Sequence, residues 1–306
     1  MTSFLPEGKR INTQENLAAI GTLEGLHAAM TRGDILEARA VLCDHAHNLK
    51  VDLPCAHGII PREEGALGIR EGNVRDIALI SRVGRAVCFQ VKEFVQTQNG
   101  TTAVLSRADA QQQCAREYLS ALSPGDVIPA RVTHLEPFGA FCDIGCGMVA
   151  LMPIDAISVS RIEHPDERFT VGMDILAVIK TVNGNRITLS HKELLGTWEE
   201  NASRFSVGET VTGVIRSIEN YGAFVELTPN LAGLAELRDN IHVGDTAAVF
   251  IKSILPQKMK IKLIIIDSFS QPNIPEPPVY CISGGNIRTF TYSPPECTRT
   301  IMTEFY

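Results

Sequence analysis

The sequence predicts an all-β protein with short helices, built as three tandem five-stranded barrels followed by a β-hairpin tail. One observation is a repeated aromatic stretch: residues 136–144 read EPFGAFCDI, and residues 220–227 read NYGAFVEL. A second is that the stretch recurs in register with the glycines that begin the barrels. A third is the succession of short alternating strands separated by turn residues, which is typical of small closed barrels.

Each predicted barrel begins at a glycine, and the interval from Gly125 to Gly208 equals that between the motif glycines Gly139 and Gly222. Before the first barrel, Thr22 as N-cap and Gly33 as stop predict a helix. The dipeptides Asn99-Gly100 and Asn183-Gly184 predict hairpin turns. The predicted segments are a helical lead-in (1–32), a degenerate barrel (33–122), a second barrel (123–196), a shortened third barrel with a connecting helix (197–267), and a proline-rich linker with a hairpin tail (268–306).

The third barrel is predicted to be shortened on one flank. Gly172 and Gly244 precede the fourth strand of the second and third barrels, and they are closer together in the sequence than the two motif glycines are. The connection before that strand is therefore shorter in the third barrel. We expect the hairpin tail, which follows four prolines between residues 272 and 278, to pack on this shortened barrel.

The composition limits the classes of function. With 28 Lys and Arg against 35 Asp and Glu, the formal charge of −7 argues against a broad cationic surface for nucleic acid. No signal peptide or membrane-spanning run is evident, and the eight cysteines lack the spacing of a disulfide scaffold. We therefore expect a cytoplasmic protein with reduced thiols, no membrane partner and no cofactor.

Two long stretches of the chain resemble a known family. They are GDVIPARVTHLEPFGAFCDIGCGMVALMP with RITLSHK, and GETVTGVIRSIENYGAFVELTPNLAGLAEL with KIKL. Both resemble the S1-type RNA-binding domain of the oligonucleotide-binding fold, named for bacterial ribosomal protein S1. The resemblance covers residues 123–267 well, the N-terminal third weakly and the tail not at all. It implies a face over the second and third strands where aromatic rings stack on bases, beside a basic residue from the last strand.

Carried over position by position, the resemblance implies six RNA-binding residues, a ring pair and one basic residue in each of two barrels. They are Phe138, Phe141 and Arg186 in the second barrel, and Tyr221, Phe224 and Lys260 in the third. The residue types suit the role on their own terms, because a positioned ring stabilises a stacked base by roughly 1–3 kcal/mol without reading sequence. The alternative for Phe141 and Phe224 is that they are ordinary core rings.

The chain also departs from the family pattern. A histidine commonly follows the third-strand glycine and hydrophobic pair, and we align Pro61, Ala150 and Glu236 with that position in the three barrels. In the first barrel the aromatic motif is absent, and residues 45–50 read HAHNLK in its place. We expect that barrel to dock protein or to pack internally.

Two further residue groups have competing interpretations. Lys258, Lys260 and Lys262 alternate, and they predict either phosphate contacts or a strand edge protected by solvated lysines. A group of possible metal ligands lies in the first barrel, but it lacks a closely spaced ligand pair and favours surface histidines and buried thiols over zinc. The group comprises Cys43, His45, His47, Cys55 and His57.

The sequence contains no nucleophile elbow, phosphate-binding glycine loop or metal-binding helix motif. It therefore predicts a non-enzymatic protein. The resemblance implies that this protein holds single-stranded RNA on its tandem barrels and acts in translation, in association with the ribosome. The alternative is a protein–protein adaptor on the ribosome or the transcription apparatus with little RNA affinity, which the acidic balance and the missing histidine favour.

Overall fold

A computed structural model of the chain describes residues 4–98, 100–184, 186–270 and 275–306. These residues form three closed five-stranded barrels and a separate two-stranded sheet. In each barrel the strands follow the same cyclic order, first, second, third, fifth and fourth, with a parallel pair between the third and the fifth. The predicted all-β architecture of three tandem barrels with a hairpin tail is confirmed.

The chain separates into two compact units. The first contains the residues up to Leu122 together with Asp143–Val149, and the second contains Ser123–Cys142 and Ala150–Tyr306. The second unit therefore holds most of the second barrel, all of the third and the tail.

The lead-in has two helices, and the sequence signals of the second are confirmed. The Thr22 hydroxyl accepts a hydrogen bond from the Gly25 N–H, and Gly33 ends the helix in the left-handed conformation at φ 68°. This is a position that glycine occupies without steric cost. The helices are α1 (Gln14–Ile20) and α2 (Leu23–Arg32).

The first barrel encloses a core of alternating apolar residues. Along its second strand Leu49, Val51 and Leu53 are buried, whereas Lys50 and Asp52 are exposed, as expected for a strand with one face toward the core. The predicted turn residue Asn99 lies outside the described residues. The elements are β1 (Leu36–Cys43), β2 (Leu49–Leu53), β3 (Ala56–Ile60), α3 (Ile77–Ile80), β4 (Ala86–Thr97), β5 (Gly100–Ser106) and α4 (Arg107–Glu117). The helix α4, capped by the Ser106 hydroxyl, was not predicted from the sequence.

The second barrel has the five strands that the sequence predicts. Between its third and fourth strands lie two short 3-10 turns, Ile154–Ala156 and Pro165–Glu167, which form an irregular insertion. Its strands are β6 (Val127–Glu136), β7 (Gly139–Asp143), β8 (Val149–Pro153), β9 (Asp174–Asn183) and β10 (Arg186–Ser190).

The third barrel is joined to the second by a short helix, α5 (Trp198–Ala202), which Thr197 caps. Its third and fourth strands are separated by residues 236–245, against 154–173 in the second barrel, so the predicted shortening is confirmed. Its strands are β11 (Thr210–Glu219), β12 (Gly222–Thr228), β13 (Leu231–Ala235), β14 (Thr246–Leu255) and β15 (Lys260–Phe269).

The C-terminal tail ends in the hairpin of β16 (Thr289–Thr291) and β17 (Met302–Glu304). Phe290, Tyr292 and Phe305 are buried in one hydrophobic cluster with the core residues of the third barrel. The predicted packing of the tail on that barrel is therefore confirmed. Before the hairpin, the Val127 N–H donates to the Gly285 carbonyl at 3.0 Å, so the tail also contacts the second barrel. Among the described residues, no helix is long and apolar enough to cross a membrane.

Candidate nucleic-acid interface

The aromatic motif of the second barrel places two rings together on the outer surface. Phe138 lies in the turn between β6 and β7 with 56% of its surface exposed, and Phe141 lies in the middle of β7, partly exposed. Their ring centroids are 6.0 Å apart and the ring planes are perpendicular. Neither ring belongs to the barrel core, so the core-ring alternative for Phe141 is wrong.

The third barrel repeats this geometry. Tyr221, 65% exposed, lies in the turn between β11 and β12, and its ring centroid is 6.2 Å from that of Phe224, again with perpendicular planes. Phe224 is only partly buried, because Ala223 and Val225 on either side of it face the core. The two copies of the motif therefore present the same pair of rings.

The motif glycine allows this turn to close. A Cβ atom on Gly222 would lie 2.5 Å from the Ala235 carbonyl oxygen, closer than real atoms approach, and φ of Gly222 is 153°. A Cβ on Gly139 would clash equally with the Met152 carbonyl oxygen, at the equivalent position of the second barrel. Glycine is required in both motifs because the third strand crosses directly above it.

A row of side chains crosses the outer face of the third barrel in register. Ser217 pairs with Phe224, Phe224 with Leu234, Leu234 with Lys262, and Lys262 with Ser253. Residues directly opposite one another on a sheet face have Cβ atoms about 5 Å apart. The row therefore forms a continuous platform with Phe224 near its centre and the Lys262 ammonium on one side.

The same positions in the second barrel include a histidine that the sequence analysis missed. His134 replaces Ser217, and its ring lies 6.2 Å from that of Phe141 with planes inclined by only 27°. The imidazole Nε2 is 2.7 Å from the Glu136 carboxylate. On the far side, Thr188 pairs with both Leu151 and Thr181. Three rings, from His134, Phe138 and Phe141, thus stand together on the second barrel.

The predicted basic residues, Arg186 and Lys260, lie on the same outer face, next to the two rows of paired side chains but outside them. Arg186 begins β10 opposite Asn183, and Lys260 begins β15 opposite Leu255, so the two positions are equivalent. Arg186 precedes Thr188 by two positions, and Lys260 precedes Lys262 by two positions. Because side chains alternate along a strand, both basic side chains lie on the outward side. Both are exposed. The structure brings the ring pairs together and places Arg186 and Lys260 beside the platforms instead of within them.

The lysine group is corrected in two respects. Lys258 belongs to a 3-10 turn, Pro256–Lys258, and only Lys260 and Lys262 alternate on β15 with the buried Ile261. The strand is also paired on both sides, to β13 and to β14, so the alternative of a protected sheet edge is wrong. These lysines lie on a barrel face.

Among the described residues of the first barrel, the platform positions carry no aromatic pair. Lys50 pairs with Ile59, which pairs with Val104, so Lys50 occupies the position of Phe141 and Phe224. His47, three positions earlier, lies 3.3 Å from the Asp76 carboxylate. Within the described part of the chain, no three His, Cys, Asp or Glu side chains are placed to hold a metal ion, and Cys55 instead donates to the Ile20 carbonyl at 3.2 Å.

The register also corrects one alignment. Because Thr188 pairs with Leu151 and Lys262 with Leu234, Leu151 and Leu234 are equivalent, and Pro153 corresponds to Glu236. The family histidine is therefore replaced by Pro153 in the second barrel, not by Ala150, which is buried. Glu236 is exposed and adds a negative charge near the end of β13.

The sequence of the chain is similar to those of known RNA-binding and ribosomal proteins. Residues 122–192 match the family model of the S1 RNA binding domain. The chain is 31% identical over 193 residues to the small ribosomal subunit protein bS1 of Staphylococcus aureus, a match that covers 60% of this chain and 48% of that protein. It is 28% identical over 231 residues to bS1 of Rhodopseudomonas palustris, covering 71% and 38%. The chain thus spans about half the length, or less, of these curated relatives.

Among solved structures, the chain is similar to a multidomain protein with nucleic acid binding domains from Streptococcus pneumoniae. The similarity covers 76% of this chain and 73% of that one, at 12% sequence identity and with a TM-score of 0.25.

Closed five-stranded barrels in this strand order, arranged in tandem, place the chain among proteins of the oligonucleotide-binding fold. Residues 122–192, which match the S1 RNA binding domain, coincide with the second barrel. Over 60–71% of its length, at 28–31% identity, the chain is homologous to bacterial ribosomal protein bS1.

Proposed function

We propose that this protein is a non-enzymatic RNA-binding protein that holds single-stranded RNA on its second and third barrels and acts in translation, in association with the ribosome. The observation that carries the proposal is the cluster of three rings on the second barrel. The ring centroid of Phe141 lies 6.2 Å from that of His134 and 6.0 Å from that of Phe138. The homology to bS1 supports the ribosomal setting.

The proposed mechanism is stacking with a few cationic contacts. Exposed rings on a barrel face offer π-surfaces to unpaired bases, each contributing roughly 1–3 kcal/mol and with little sequence preference. Arg186 beside the second platform, and Lys260 and Lys262 at the third, are positioned to meet phosphates. Two platforms on one chain raise the effective concentration for the second contact, so that modest single sites hold a long strand. We assign the main platform to residues 123–196.

The test is the affinity of the intact chain for an unstructured oligonucleotide RNA. The double variant Phe138→Ala, Phe141→Ala is expected to weaken binding by about 10- to 100-fold, because two stacking rings are lost. A matched control removes two exposed rings elsewhere, Phe269→Ala and Tyr306→Ala, which are 40% and 89% exposed. Unchanged affinity in the first variant, or equal loss in both, would rule out the second barrel as the platform.

A salt titration separates this function from that of a protein adaptor. Binding that depends on phosphate contacts weakens steeply as salt rises, because counterions are released on binding. An adaptor would instead keep its protein partner in a pull-down after nuclease treatment and show no RNA affinity at low salt.

A further inference from the structure

A groove runs between the second and third barrels and meets the third ring platform at Ser217. It encloses about 1110 Å³ and lies between the insertion of the second barrel, residues 154–167, and the end of β11 with the Val243–Gly244 loop of the third. Its apolar lining includes Val159 and Val243, which are 38% and 50% exposed. The size exceeds that of a small-molecule pocket and suits an extended segment of chain.

The walls of this groove are held in place by contacts between the two barrels. The Val159 N–H donates to the Asn230 side-chain oxygen at 3.0 Å, and the Ser160 N–H donates to the Pro229 carbonyl at 3.1 Å. Below them, Arg216 is paired with both Glu167 and Glu226. Because these links fix the insertion on the third barrel, the groove is formed before any partner binds, which reduces the ordering cost of binding.

The charges in the groove are predominantly negative. Its lining has five carboxylates and two guanidinium groups, and the guanidinium of Arg216 is already neutralised by its partners. Arg161 is the other, exposed at the rim, and His164 lies 2.8 Å from Asp166. Asp155, Glu163 and Glu219 remain at the surface. Such a lining repels phosphates and attracts ammonium and guanidinium groups.

We propose that this groove docks a lysine- and arginine-rich segment of a protein partner. The carboxylates of Asp155, Glu163 and Glu219 pair with its cationic heads, while Val159 and Val243 cover the aliphatic stems that long basic side chains carry. The groove adjoins the third platform, but the proposed docking does not depend on RNA binding there.

The probe is a fluorescein-labelled peptide of alternating lysine and leucine, and binding to the intact chain is measured by fluorescence anisotropy at about 100 mM salt. The groove variant Asp155→Asn, Glu163→Gln, Glu219→Gln is expected to weaken peptide binding about ten-fold. The matched control removes three exposed acids outside the groove, Glu71→Gln, Glu93→Gln and Glu296→Gln. It changes the net charge equally and is expected to bind the peptide as the unmodified chain does.

Three results would overturn the proposal: no binding of the peptide by the unmodified chain, equal weakening by both variants, or loss of RNA affinity in the groove variant. The last would assign the groove to RNA. The proposed RNA function can fail independently of the groove. If the unmodified chain binds the peptide but no RNA, and only the groove variant loses peptide binding, the groove proposal stands and the RNA proposal does not.

Discussion

His134 and Ser217 occupy equivalent positions on the two ring platforms, and this one substitution distinguishes them most clearly. The imidazole of His134 lies nearly parallel to the Phe141 ring, whereas Ser217 leaves Phe224 without a neighbouring ring on that side. The third platform instead has Lys262 in its row, and Glu236 near the end of β13. At the scale of single residues, the second barrel is suited to stacking and the third to a mixture of stacking and charge.

This difference gives a reciprocal prediction. His134→Ser should lower the affinity of the intact chain for unstructured RNA by about three- to ten-fold, because one stacking surface is removed. Ser217→His should raise it by adding a ring beside Phe224. Both affinities are measured by titration of a labelled oligonucleotide, and Ser253→His, at the far end of the row, is the control for Ser217→His. If the His134 variant binds as well as the unmodified chain, the imidazole is not part of the platform.

Among the elements, the C-terminal tail has the least obvious role in the sequence and a clear one in the structure. The Tyr292 hydroxyl donates to the Asn230 carbonyl at 2.5 Å, and the Tyr292 carbonyl accepts from the Trp198 N–H at 2.9 Å. Earlier in the tail, the Tyr280 hydroxyl accepts a hydrogen bond from the Leu176 N–H at 2.9 Å. The tail thus contacts the second barrel, the connecting helix and the third barrel, and it stabilises all three as one unit.

Tyr292→Phe tests this role of the tail. Removing the hydroxyl leaves the buried Asn230 carbonyl without that donor, so the free energy of unfolding should fall by about 1–2 kcal/mol. The single tryptophan, Trp198, is buried beside Tyr292, so its fluorescence during urea unfolding reports this region. Tyr306→Phe, at a residue that is 89% exposed, is the control and should leave the unfolding midpoint unchanged. An equal midpoint for the Tyr292 variant would mean that the hydroxyl does not stabilise the tail.

In the molecule as a whole, burial shifts the pKa values of titratable groups in both units. In the first unit, burial raises the pKa of Glu37 to about 7, and burial together with the nearby Glu7 raises that of Asp143 to about 7. In the second, burial lowers the pKa of His191 to about 4, a direction that Arg168 reinforces. The raised pKa values of Glu37 and Asp143 favour folding of the first unit at acid pH. Glu7 in the same unit acts in the opposite direction, because its burial is outweighed by nearby charges and hydrogen bonds, those of Arg107 foremost, which lower its pKa. In the second unit, the neutral His191 favours the folded state near neutral pH.

The second unit should therefore lose stability on acidification. As the pH falls from about 6.5 toward about 4, the unfolded chain takes up a proton at His191 that the folded chain excludes, so the free energy of unfolding falls. Between pH 7.5 and 5.5 this amounts to about 1 kcal/mol, measured by urea unfolding with Trp198 fluorescence. In His191→Gln the loss from this group should disappear. An identical pH response in the variant would show that His191 does not cause it.

The sequence alone determines which side of each strand faces the core and where the equivalent aromatic turns lie. The period of two in residues such as Leu49, Val51 and Leu53 determines which side of a strand faces the core. The fixed spacing of Gly139 and Gly222 identifies equivalent turns, and rings on either side of such a turn project together. These features depend on short local patterns and on their repetition along the chain, so they can be predicted without knowing how the strands pair.

Other features depend on residues far apart in the chain, and only the tertiary structure decides them. His134 becomes part of the ring cluster because β6 lies beside β7, and Lys262 joins its platform through a parallel pair with β13. The groove exists because the insertion of the second barrel is bonded to Pro229 and Asn230 of the third. Periodicity specifies the face on which a side chain lies, but strand register and barrel packing choose its neighbours, and those neighbours determine what each surface can bind.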